Sequence, residues 1–138
     1  MVTTINALQF AADPDAAAEL LRVTAVGGYV AVANWAERAG NQLDAIDAAL
    51  NDEPGEDGDL RLPGGLEDLL GSAGAVVVDA GSIDVPGKCP TTRRWSSGIL
   101  FGEDLASGPL VVEAARPFRT PSGGYRFSNC FLYAIGRR

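Results

Sequence analysis

The chain of 138 residues contains no histidine. That removes the Ser-His-Asp and Cys-His hydrolase arrangements, the H-E-x-x-H metalloproteases and most catalytic zinc sites. Any acid–base chemistry is left to Asp, Glu, Tyr or Lys. Cysteine is scarce: Cys89 and Cys130 are far apart and share no C-x-x-C spacing, so thiols rather than a disulfide are expected. Basic residues are few, 11 against 18 acidic ones, and the net charge of −7 disfavours nucleic acid and anionic membrane surfaces as partners. No apolar run approaches the roughly 20 residues that span a bilayer, and no basic–apolar–small leader is legible, so a soluble cytoplasmic protein is expected. No G-x-G-x-x-G or G-x-x-x-x-G-K-[ST] occurs, and Gly71-Ser72-Ala73-Gly74 precedes an apolar strand, the wrong side for a phosphate or ribose loop.

What is present is apolar and alternating. An apolar fraction of 46%, with two Trp and five Phe, supplies a core for one domain spanning 1–138. Val2 to Leu8 reads as a buried strand. Asp13-Pro14 offers an N-cap and a first-turn proline, Asp15 and Glu19 suit the positive end of a helix dipole, and Leu20, Leu21 and Val23 form the inner side. Gly27-Gly28 ends that helix, and Tyr29 to Ala33 is a second apolar run. Strand, crossover helix and parallel strand within about 35 residues make a βαβ unit.

The same residues carry a resemblance. Asn6-Ala7-Leu8-Gln9-Phe10-Ala11-Ala12-Asp13-Pro14, an apolar helix, then Val26-Gly27-Gly28-Tyr29-Val30-Ala31-Val32-Ala33-Asn34-Trp35 resemble the class I S-adenosylmethionine-dependent methyltransferases of small-molecule type. In that family a similar segment ends the fourth strand, and a P-G-G turn leads into the fifth; here Val26 stands in place of the proline. Pro117 to Arg126 and Asn129 to Tyr133 resemble the family's closing strand. The match covers the C-terminal half of the family's domain. The family's first half, with its strand, D-x-G-x-G turn and acidic ribose ligand, has no counterpart here.

The fold this implies is α/β: a three-layer, Rossmann-like half-domain with a mixed sheet of about four strands, the family's four, five, seven and six, flanked by helices. The function it implies is S-adenosylmethionine-dependent methyl transfer to a small-molecule acceptor. This truncated chain is then expected to be inactive alone, and to need a partner or an N-terminal half to complete the cofactor site. A histidine-free chain suits that chemistry, because a sulfonium is an activated leaving group and alignment is the main requirement. The alternative is a non-catalytic, methyltransferase-derived dimeric scaffold or small-ligand binder. In either case the apolar edge strand 2–8 lacks its outer neighbour and is a template for a homodimer or a separate cofactor-binding polypeptide.

Further along, Leu43, Ile46 and Leu50 stripe a helix from Asn41 to Leu50. Asn51 to Asp59 is a solvated acidic loop whose spacing does not fit a calcium loop. Leu66, Leu69, Leu70 and Ala73 share one face of a helix after Pro63-Gly64-Gly65. Ala75 to Val78 is a strand that Ser82 to Val85 extends past a glycine bulge. Thr91-Thr92 caps a helix bearing Trp95, Ile99 and Leu100. Pro109 starts a last helix with Leu110, Val111 and Ala114 inward. Tyr125 to Ile135 is a single strand with Tyr125, Phe127, Phe131, Tyr133 and Ile135 on one face.

The resemblance makes Asn6, Gln9 and Phe10 candidates for cofactor binding, at the carboxyl end of the first strand where open α/β sheets bind ligands. The plain alternative is that Asn6 and Gln9 satisfy loop backbone and Phe10 is core. Trp35 either walls a substrate pocket or packs. Arg94 and Trp95 either contact a planar aromatic acceptor or pair on a helix surface. Asp13 is accounted for as an N-cap. No catalytic residue and no metal ligand is singled out.

Overall fold

The computed structural model describes residues 1–11, 14–50, 55–89 and 108–138. Four strands, β1 (Val2–Ile5), β2 (Tyr29–Trp35), β3 (Val76–Asp84) and β6 (Cys130–Arg137), form one sheet in the order β1-β2-β6-β3. Strands β1 and β2 run parallel with Ile5 opposite Ala33, and β6 runs antiparallel to β2 with Phe131 opposite Trp35. The sheet is therefore mixed, four-stranded and flanked by helices, as the sequence implies. Two short strands, β4 (Gly87–Cys89) and β5 (Tyr125–Phe127), pair antiparallel in a second sheet. The helices are α1 (Leu8–Ala11), α2 (Pro14–Val23), α3 (Gln42–Leu50), α4 (Gly65–Ser72) and α5 (Gly108–Ala114).

The described chain divides into two compact units. One comprises 1–37, 57–83 and 130–138; the other comprises 38–56 and 84–129. In the first, one face of the sheet carries Val30 and Val32, both buried, against Leu8, Leu21 of α2, and Leu66 and Leu70 of α4. Gly136 continues this face on β6, where a Cβ would stand 2.8 Å from the Ala75 Cβ and 3.4 Å from the Leu70 Cδ1, so helix and sheet meet closely. The chain's last residue locks the end of α2, with the Arg138 guanidinium donating to the carbonyls of Arg22 and Thr24. Helix α2 ends at Val23, before the Gly27-Gly28 expected to stop it; Gly27, at φ +75°, is the third residue of a separate turn in which the Gly28 N–H donates to the Ala25 carbonyl. In the second unit, Ile46, Val111, Ala115, Tyr125 and Phe127 form a separate core.

Several expectations need correction. The first strand stops at Ile5 rather than Leu8: Asn6 turns left-handed at φ 50°, and the chain re-enters a helical turn that carries Leu8 into the core. The single strand expected over Tyr125 to Ile135 is two strands in two sheets. At the break, the Asn129 carboxamide accepts from the Leu43 N–H and the Ser128 N–H donates to the Gln42 Oε1. Tyr125 and Phe127 thereby enter the second core instead of sharing a face with Phe131, Tyr133 and Ile135. Strand β3 runs unbroken through Gly81. Val23 and Leu110, expected inward, are 54% and 58% exposed. Asp13, Thr91, Thr92, Arg94, Trp95, Ile99 and Leu100 lie outside the described residues.

Candidate functional site

The carboxyl ends of the parallel strands β1 and β2 gather the candidates that can be placed. Asn6 follows Ile5 directly, and its backbone N–H donates to the Ala33 carbonyl at 2.8 Å, so it sits at the edge of the β1–β2 ladder. Its left-handed backbone is one that asparagine tolerates better than other non-glycine residues. The Asn6 Oδ1 is buried and has no hydrogen-bond partner among the described residues. A buried acceptor left unpaired costs about 1–3 kcal/mol, so an unpaired one at a strand end invites a donor. Gln9 and Phe10 belong to the following turn of helix. Phe10 is 82% exposed, which rules out the alternative that it is core.

Trp35 closes β2 half-buried, and its ring lies against Phe131 across the β2–β6 ladder, centroids 4.4 Å apart with planes inclined at 44°. Two residues along β6 on that face, the Tyr133 hydroxyl donates to the Asp79 Oδ2 at 3.3 Å. The Asp79 carboxylate holds the Tyr133 phenol above its ordinary value, desolvation and the hydrogen bond adding in the same direction. Asn34, immediately before Trp35 in β2, points to the opposite, packed face. It is 3% exposed, its Nδ2 reaches the Leu60 carbonyl only at 3.4 Å, and its Oδ1 has no partner among the described residues. The Leu60 turn is itself held by Arg61, whose guanidinium donates twice to the Ala36 carbonyl, at 2.9 and 2.8 Å, and pairs with Asp57.

Asn6 and Trp35 are thus brought to adjacent strand ends, with Gln9 and Phe10 one turn beyond. Arg94 and Trp95 lie outside the described residues. Phe131 and Asn34 were missed by sequence reading. In the sequence Phe131 is only one of an alternating series; its partner Trp35 is 96 positions away in the chain, and antiparallel register alone joins them. Among the described residues no group of three or more His, Cys, Asp or Glu side chains could hold a metal ion.

A fit to S-adenosylmethionine is partial. The orphaned Asn6 Oδ1 is an acceptor suited to an ammonium or hydroxyl donor. Among the described residues, however, no strand leads into a glycine-rich turn that would cradle the rest of such a nucleoside. These residues do not make a cofactor site by themselves.

No family model matches the sequence, and no curated protein matches it. Among solved structures, the fold is similar to that of a Bacillus halodurans C-125 protein provisionally named a methyltransferase. The TM-score is 0.57 at 12% identity, over 99% of this chain and 68% of that one. At that identity the likeness bears on the fold alone, a mixed, four-stranded α/β sheet with flanking helices.

Proposed function

We propose that this chain is the acceptor-side, C-terminal half of a class I S-adenosylmethionine-dependent methyltransferase fold that serves a small-molecule acceptor. In this reading β1, β2, β6 and β3 correspond to the family's strands four, five, seven and six, and 1–138 is a single half-domain. The observation that carries it is the parallel β1–β2 pair followed in space by an antiparallel closing strand, in a fold similar to a solved methyltransferase-like protein. The chain by itself is inactive. It requires the strand and glycine-rich turn of the family's first half, carried either by a preceding stretch of the same polypeptide or by a separate chain.

Support for such a partner comes from the open side of β1. Among the described residues it is the edge of its sheet, and Met1, Ile5 and Phe10 around it are 85%, 69% and 82% exposed. An unpaired apolar edge next to exposed large side chains is a template for a further strand. The same observation favours a second reading, a non-catalytic homodimer joined through β1.

Titration calorimetry with S-adenosylmethionine tests the first reading. The chain alone gives no heat of binding. Adding a polypeptide that carries the missing strand and D-x-G-x-G turn restores it. Saturable binding by the chain alone, or none with any such partner, overturns the proposal. Light scattering tests the second reading, which a monomer at micromolar concentration contradicts.

A further inference from the structure

We infer that the cavity between α4 and the turn Asp59–Arg61 takes a small aliphatic ammonium ion, its chain against leucines and its charge beside two carboxylates. This site lies wholly within the first compact unit and does not depend on the proposed function.

Helix periodicity builds one wall. Gly65, Asp68, Leu69 and Ser72 recur at i, i+3, i+4 and i+7, so they share one face of α4. Leu66 and Leu70 occupy another face and are buried in the core. The turn Asp59–Arg61 and the residues just after it supply the opposite wall, and the two enclose a cavity of about 420 Å3. Small-ligand sites span roughly 300–1,000 Å3, so this one suits a small molecule. Gly65 lets the walls meet, since a Cβ there would run into the Asp59 carbonyl oxygen. Backbone bonds hold the shape: the Leu62 N–H donates to the Asp59 carbonyl at 3.1 Å, and the Gly65 N–H to the Leu62 carbonyl at 3.0 Å. The Arg61 guanidinium ties the same turn to the Ala36 carbonyl, just after β2. A site already held in shape loses little freedom when a ligand enters.

The lining is apolar with charge of one sign. Leu60 and Leu69 are half-buried against the core, while Leu62 and Pro63 stay exposed at the cavity. Its charged members are Asp59 and Asp68, and neither has an ion-pair partner among the described residues. Arg61, the nearest base in the chain, is engaged by the Ala36 carbonyl and by Asp57. The helix dipole favours acids in the first turn of α4, yet Glu67 stands in that turn and does not line the cavity. Leucine and proline walls accept a run of methylenes and are indifferent to its charge. The carboxylates supply the choice: they attract a cation, repel an anion and gain little from an alcohol. An alkylammonium joins both requirements, with an apolar chain and a head of three donors.

The test is nuclear magnetic resonance on the full, 15N-labelled chain with four probes: n-hexylamine, 1-hexanol, hexanoate and methylamine. Hexylammonium shifts the backbone amides of 59–72 saturably. Hexanol keeps the chain without the charge, methylammonium keeps the charge without the chain, and each binds several-fold more weakly. Hexanoate does not bind. Asp59→Asn and Asp68→Asn each weaken hexylammonium by about two- to five-fold, the scale of an exposed ion pair, and leave hexanol unchanged. Both side chains are exposed and unpaired, so these variants fold, and unchanged spectra outside 59–72 verify it. Leu62→Ser weakens hexylammonium and hexanol alike. Hexanol or hexanoate bound as tightly as hexylammonium, shifts that never saturate or centre elsewhere, or unchanged affinity in the Asp59→Asn Asp68→Asn double variant overturn the inference.

Discussion

Replacing Gly136 by alanine probes a close approach of β6 to α4 and to the turn that follows it. A Cβ built there stands 2.8 Å from the Ala75 Cβ, inside any separation that two carbons adopt, and 3.4 Å from the Leu70 Cδ1. Neither neighbour swings away easily: Ala75 has no rotatable side chain, and Leu70 is fully buried. The strand or the end of α4 must shift by several tenths of an ångström. Overpacking of this kind costs about 1–3 kcal/mol. For a chain of this length that lowers the melting midpoint by roughly 3–10 °C. Differential scanning calorimetry reads the shift, and urea unfolding reads it independently. The decisive variant is the double mutant Gly136→Ala with Ala75→Gly. Removing the opposing methyl returns most of the loss if the clash is its source, and coupling between two residues in contact is expected at 0.5 kcal/mol or more. A Gly136→Ala protein as stable as wild type, or two losses that simply add, refutes the account of how α4 seats on β6.

Arg61→Ala removes both donors to the Ala36 carbonyl and lowers stability by about 1.5–3 kcal/mol in urea unfolding, with Arg61→Lys recovering only part because an ammonium cannot fork. Ultraviolet titration at alkaline pH finds the Tyr133 phenol ionising above its ordinary value, and Asp79→Asn brings it back down. Because the folded value is raised, the phenol's contribution to stability is present below the unfolded pKa and is lost as pH climbs through the folded one. An Asp79→Asn protein whose Tyr133 titrates unchanged contradicts that assignment. Ile5→Lys, at a site 69% exposed, changes monomer stability by no more than about 0.5 kcal/mol, yet abolishes any dimer or complex formed through β1 in light scattering.

The local elements were legible in the residues. Pro14 opened α2, the run Tyr29 to Ala33 lies within β2, and the stripe Leu66, Leu69, Leu70 made α4, since helix and strand periods are properties of the neighbouring side chains alone. Sequence also determined what chemistry is excluded, because no folding can supply an imidazole that the chain lacks. The end of β1 was not legible: Asn6 departs from the strand through one dihedral angle, and the alternating pattern passes through Leu8 without registering it. Nor was the split of the closing strand, which depends on Asn129 and Ser128 finding Leu43 and Gln42, 86 positions away in both cases. The Trp35–Phe131 ring pair has the same origin. Only the register of β2 against β6 places those two rings side by side, and register is fixed by what the rest of the sheet buries.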